Sequence, residues 1–182
     1  MKFAHGANLC EDDFMPELKQ YQIEGWSLRP VVPEDFPQIL EIENACQVAP
    51  WNLAHFQAEL AKPHGHFLVL TDDETDERVG GYIVFWTLLE DAQILSVVVA
   101  PGCRRKGFAR LMMRAALNEA LRRSCTQMLL DVRKSNASAV ALYDSLGFTI
   151  TRVLKDAYTK GPSTKEDGYQ MTLPLKGERE EF

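Results

Sequence analysis

Residues 94–116 read ILSVVVAPGCRRKGFARLMMRAA, and the reading of this stretch decides the fold. From Ile94 to Ala100 the run is almost continuously apolar and β-branched, with Ser96 its only polar member. That is the composition of a strand buried on both faces. Pro101 and Gly102 stop it. Arg104, Arg105 and Lys106 then lead into Gly107, and apolar residues recur at 108, 111, 112, 115 and 116, which is helical spacing. A strand that passes through a basic, glycine-bearing loop into a helix leaves several backbone N–H groups unpaired beside the positive end of the helix dipole. Such a loop suits a phosphate, although a tight turn carrying solvated arginines fits the same residues. Neither GxGxxG nor GxxxxGK[ST] occurs, and no Ser or Thr follows Lys106 to hold a magnesium ion.

Working outward, 182 residues with 46% hydrophobic and 25% charged side chains make one ordinary soluble domain with enough apolar material for a core. A net charge of −6 argues against wholesale nucleic-acid binding, and the Arg104–Lys106 cluster, a local exception, points instead to a small anionic ligand. The four cysteines, at 10, 46, 103 and 125, form neither CxxC nor a Cys/His ligand spacing. No disulfide framework and no metal are therefore expected, Cys103 reads as a bystander thiol, and a reducing cytoplasm fits best. No apolar run approaches membrane-spanning length and the N-terminus lacks a signal-peptide core, so no membrane partner is expected.

The chain divides into an N-terminal extension (1–24), a domain (25–176) and a charged tail (177–182). A short helix is expected near Phe14 to Tyr21. Strands are expected at Trp26–Arg29, His66–Thr71, Val79–Leu88, Ile94–Ala100, Met128–Val132, Thr149–Leu154 and Tyr169–Leu175. Helices should run from Pro33 towards Ala45, from an Asn52 cap to Leu60, from the glycine loop to Arg123, and from a Ser135 or Asn136 cap to Leu146, with Gly147 at its end. Gly80–Gly81 suggests a bulge or a close backbone approach, Asp72–Glu77 a solvated turn, and the segment holding Tyr158, Gly161, Pro162 and Gly168 a polar loop. The order implies an α/β (α+β) fold, a mixed sheet with helices on both faces. Ligands in open sheets of this kind sit at the carboxyl ends of the central parallel strands, here Val99–Ala109 and Asp131–Asn136.

Two stretches resemble a known family. Arg104, Gly107 and Ala109 match the Gln/Arg-x-x-Gly-x-Gly/Ala loop of the GNAT superfamily of N-acetyltransferases. MLLDVRKSNASAVALYDSLGF, residues 128–148, is similar to the VRxSNxxAxxLYxxLGF region of the bacterial ribosomal-protein alanine N-acetyltransferases, and Pro50–Trp51 matches a Pro-Trp pair in the same subgroup. The resemblance runs from about Trp26 to Leu175. It implies a mixed, mostly antiparallel sheet with a splayed cofactor cleft between the fourth and fifth of the strands above. It also implies an acetyl-CoA-dependent N-acetyltransferase in which an amine attacks the thioester directly.

Site roles follow from that resemblance. Backbone amides along Val97, Val98 and Val99 would take the coenzyme's arm as an extra strand, with the Val99 N–H as oxyanion donor. Amides of Arg105, Lys106, Gly107, Phe108, Ala109 and Arg110 would bind the pyrophosphate, with arginine side chains, Arg104 included, adding charge. Asn136 would contact the coenzyme or cap its helix, or do both. Tyr143 would protonate the leaving thiolate. Asp131 stands where the subgroup carries a glutamate base, one methylene longer, and Glu43 is the reserve base. Trp51 and Tyr158 would line the acceptor groove. The acceptor is expected to be a protein N-terminus, such as that of a ribosomal protein. A small-molecule amine is the alternative, and a non-catalytic acetyl-CoA sensor the rival from another class.

Overall fold

The computed structural model describes residues 18, 20–74, 78–161 and 164–175. The expected helix near Phe14 to Tyr21 lies outside these residues except at Leu18, Gln20 and Tyr21, as do Pro162 and the tail at 177–182. Among the described residues eight strands form one sheet: β1 (Gln22–Ile23), β2 (Trp26–Pro30), β3 (Gly65–Asp72), β4 (Val79–Leu88), β5 (Asp91–Val99), β6 (Gln127–Arg133), β7 (Thr149–Gly161) and β8 (Thr164–Pro174). Their spatial order is β1-β2-β3-β4-β5-β6-β8-β7. The β5/β6 pair is parallel, and the remaining pairs are antiparallel.

Among the described residues α1 (Phe36–Cys46), α2 (Leu53–Leu60), α3 (Phe108–Arg122) and α4 (Ala137–Asp144) cover the two faces of the sheet. Each begins where local chemistry dictates. A single turn of 3-10 helix at Pro33–Asp35 precedes α1, Asn52 caps α2 by accepting from the His55 N–H, and Asn136 caps α4 through the Ala139 N–H. Gly107, at φ +84, starts α3 in the left-handed region that glycine alone enters freely. One core lies under α3, where Phe108, Met112 and Ala116 meet Ile83, Ile94 and Met128. The other lies under α1 and α2, where Phe36, Ile39 and Phe56 meet Phe67, Tyr82 and Val98. Leu18, Tyr21 and the partly buried Ile23 join the first core, and Trp26 tilts against Phe108 at 5.4 Å.

Gly80–Gly81 serves both purposes expected of it. The β3/β4 register shifts there, and added Cβ atoms would come within 2.5 Å of the Trp26 ring and 2.6 Å of the Val98 carbonyl. The expected polar loop around Tyr158 is instead a long hairpin. β7 runs on to Gly161 and β8 begins at Thr164, bridging three register irregularities. The side chains along residues 149–160 are mostly exposed, so the strand carries no apolar alternation by which to read it.

His66 and Glu119 form a polar island in the first core. His66 stacks on Phe85 at 4.6 Å and its Nε2 lies 2.7 Å from Thr87 Oγ1, while the fully buried Glu119 is gripped by Arg122 at 2.8 Å and by Arg123. Burial first, then the Arg123 cation, pulls the His66 pKa from 6.5 to about 4. Above pH 6.5 neither state protonates this ring. Between 6.5 and 4 the unfolded chain takes up a proton that the folded chain refuses, so stability falls as pH drops, by at most about 3 kcal/mol. Denaturant melts at pH 7 and pH 4.5 are expected to show this loss in the wild type and a smaller one in His66→Gln.

Candidate functional site

The parallel β5/β6 pairing runs from Asp91↔Gln127 to Ile94↔Leu130 and stops. Beyond Ile94 the β6-facing edge of β5 is left without ladder partners, and the two strands splay apart. Ala100 N–H donates to Gly80 O on β4, so by strand alternation the N–H groups of Val97 and Val99 face the opening while that of Val98 faces β4. The expectation that all three amides serve is thereby narrowed to two.

The splay opens a cleft of about 710 Å³. Val97, Val98, Val99, Arg104, Arg105, Gly107, Phe108, Ala109 and Arg110 line one side, and Asn136 and Tyr143 the other. Residues from the glycine loop and from the β6–α4 region, far apart in sequence, are thus brought to one opening. Lys106, expected there too, is exposed and does not line it. Several lining residues were given no binding role of their own from the sequence: Cys46, Gln47 and Val48 at the end of α1, and Arg133 and Ser135, which lie in the Asp131–Asn136 segment expected beside a ligand, Ser135 as a possible cap. Arg133 was open to discovery, since it belongs to the VRxSN match. The segment 46–48 carried no signal, because its place beside Val99 is set only by tertiary packing. Arg104 reaches back across this corner, with Nε 3.3 Å from Val99 O and Nη2 3.1 Å from Cys46 Sγ.

The opening fits an extended, anionic ligand with an amide-bearing arm. A free strand edge supplies N–H groups for the arm. The N-terminus of a 15-residue helix, flanked by Arg104, Arg105 and Arg110, supplies partial and full positive charge for a diphosphate. Among the described residues no group of three or more His, Cys, Asp or Glu is arranged to hold a metal ion, and no helix is long and apolar enough to cross a membrane.

Tyr143 is 8% exposed and packs its ring 5.9 Å from Phe148. Burial, with a smaller contribution from Tyr158, pushes its pKa up to about 12, so the hydroxyl is protonated at every physiological pH. Asp131 is exposed on β6 with Gln170 Nε2 3.4 Å from Oδ1. Tyr158 stands nearby on β7, its phenol raised by burial first and then by the Asp131 charge. Trp51 does not line the cleft, and its indole packs 5.4 Å from Phe56.

Glu43, the reserve base, is 2% exposed. Oε1 accepts from the Trp51 N–H at 2.9 Å and Oε2 from the Tyr82 hydroxyl, which burial and then the Glu43 charge hold far above the ordinary phenol range. Each oxygen accepts a hydrogen bond, so this buried carboxylate clasps the α1–α2 loop to β4, a structural task that competes with a role as base. Glu43→Gln is expected to keep kcat within about threefold, whereas Glu43→Ala strands a buried hydroxyl and costs about 1–3 kcal/mol of stability. Steady-state kinetics and thermal melts read the two effects separately, and a hundredfold fall in kcat for the Gln variant would restore Glu43 as the base.

The sequence profile described as the Acetyltransferase (GNAT) family matches residues 36–148. A curated relative, [ribosomal protein bS18]-alanine N-acetyltransferase of Haemophilus ducreyi, is 30% identical over 145 residues, covering 80% of this chain and 97% of its own. The crystal structure of the ribosomal-protein-S18-alanine N-acetyltransferase from Escherichia coli superposes with a TM-score of 0.75 at 26% identity, over 86% of this chain and 99% of the other. Arabidopsis thaliana NAA60 in complex with acetyl-CoA shares the fold, with a TM-score of 0.75 at 17% identity over 82% of this chain and 98% of the other.

Proposed function

This chain belongs to the acetyltransferase (GNAT) family and is an acetyl-CoA-dependent N-acetyltransferase, and from that premise we propose that its acceptor is the α-amine of a protein N-terminus, a ribosomal protein's being the leading case. The observation that carries this reading is the junction of three features: the free Val97–Val99 edge, the Gly107 helix start and Tyr143 all line one cleft. The names of the relatives supply the acceptor class.

In this reading the Val97 and Val99 amides hold the coenzyme's arm, and the Val99 N–H donates to the thioester oxygen as negative charge develops there. The α3 N-terminus, with Arg104, Arg105 and Arg110 around it, holds the diphosphate, and Asn136 adds a contact at the start of α4. Acetyl-CoA supplies an activated acyl group. Asp131 receives the amine proton through a water, which is modest work because an α-amine has a pKa near 8 whereas a lysine ε-amine has one near 10.4. Tyr143 donates to the departing sulfur. With its pKa near 12 it is a weaker acid than a thiol, so a hydrogen bond to the developing thiolate, completed by proton transfer as the amine loses its own proton, is the larger part of its effect.

The test is mass spectrometry of peptides with free N-termini, lysine peptides with blocked N-termini and polyamines, each incubated with the protein and acetyl-CoA. Acetylation of α-amines supports the reading. Acetylation of polyamines alone assigns a small-molecule acceptor, and binding of the coenzyme without turnover of any amine assigns a non-catalytic sensor.

A further inference from the structure

The loop between β6 and α4, which lines the coenzyme side of the cleft, is tied to the β7–β8 hairpin. The Ser135 N–H donates to Glu166 Oε1 at 2.8 Å, and the Lys134 N–H to Asp167 O at 3.1 Å. One side chain joins the two parts more closely. Arg133 lines the cleft, yet its Nη1 donates to Thr159 O at 2.9 Å, and its guanidinium lies 4.6 Å from the centre of the Tyr158 ring. Glu166 adds a carboxylate 3.9 Å from the same Nη1. The Tyr158 ring also rests against Gly168, where a Cβ would come within 2.4 Å of Cε2. A flat cation against one flat ring, beside a residue with no side chain, fixes that ring's position.

We infer that Arg133 is a positioning residue that couples the two substrates: the coenzyme, seated in the cleft that Arg133 lines, steadies its grip on Tyr158 and Thr159 and so readies the acceptor side. The inference rests on the proposed acceptor reading, in which Tyr158 contacts the incoming amine's chain. Binding that orders a shared element lowers the cost of ordering it for the second ligand, and the coupling is reciprocal.

The experiment combines kinetics with calorimetry on the full chain. Arg133→Gln is expected to raise the acceptor-peptide KM at saturating acetyl-CoA about tenfold, with kcat and the Kd for coenzyme alone each within about threefold. The tightening of coenzyme A by bound acceptor peptide, measured in the wild type, should disappear in this variant. Arg133→Lys, which keeps the charge and loses the planar, forked guanidinium, should recover the KM only in part. In a Tyr158→Leu background Arg133→Gln should add nothing, since the two act as one unit. Gly168→Ala, whose Cβ would meet the Tyr158 ring at 2.4 Å and the Val132 carbonyl at 3.1 Å while leaving the Arg133 side chain in place, should reproduce the KM effect. The inference is overturned if Arg133→Gln weakens the coenzyme while leaving the acceptor KM alone, if it lowers kcat at unchanged KM, or if its effect adds to that of Tyr158→Leu. Should Arg133→Gln fail to match the wild-type thermal melt, Arg133→Lys and Gly168→Ala decide the matter. A wild type that acetylates only polyamines sinks the acceptor reading separately, and the coupling is then measured with a polyamine.

Discussion

Replacing Tyr143 with Phe is expected to lower kcat about a hundredfold, equivalent to about 2.7 kcal/mol of transition-state stabilisation, with the coenzyme Kd unchanged within about twofold. Three observations combine to give this size. The hydroxyl belongs to a cleft-lining residue, the residue is 8% exposed, and burial keeps it protonated with a pKa near 12. A buried donor has little water to replace it when it is deleted, and in the proposed mechanism this one serves the developing thiolate. Packing survives the change, because Phe retains the ring that meets Phe148, so the melting temperature should move little. Single-turnover measurements with saturating acetyl-CoA isolate the acyl-transfer step. A kcat within threefold of wild type would remove Tyr143 from the reaction and leave it as a core aromatic.

Gly107→Val is expected to act on binding instead. Space is not the obstacle, since a Cβ at this position would meet only Ile23 Cδ1, at 3.4 Å. The obstacle is the backbone: φ of +84 costs an ordinary residue about 1–2 kcal/mol and a β-branched one more. The chain relieves that strain by shifting the start of α3, and with it the N–H groups proposed to hold the diphosphate. The coenzyme Kd should rise at least about tenfold while kcat at saturation falls far less, because the reacting groups on β5 and α4 are untouched. Calorimetric titration with coenzyme A gives the Kd directly. An unchanged affinity would mean that phosphate recognition depends on the arginine side chains rather than on the amides of the loop.

The two substitutions probe features of different legibility. Gly107 stands out in the sequence, because a glycine between three cations and a helix-period run announces both the turn and the charge. The Tyr143 role was read from a motif match; its burial and raised pKa come only from folding, which sets α4 down beside Phe148. The Tyr158 segment went the other way. Its polar composition read as a loop, yet backbone hydrogen bonding to β8 makes it a strand, for ladder bonds require no apolar side chains. Glu43 reads as an available acid on a helix, and only the approach of Tyr82 from β4 and of the Trp51 amide from the next loop turns it into a closed clasp.

Taken by itself, the sequence determined what is local in its physics: the strand–loop–helix unit at 94–116, the capping residues Asn52 and Asn136, the glycine punctuation, and the placing of a basic, glycine-bearing loop at the end of a central strand. These depend on short-range backbone sterics and on side chains within a turn or two of one another. Tertiary structure alone decided where β5 and β6 part company, that Val97 and Val99 turn their amides to the opening, and that Arg133 reaches the hairpin carrying Tyr158. Each of these compares segments tens of residues apart, and their relation is fixed by how two cores pack on opposite faces of one twisted sheet, which no local pattern encodes.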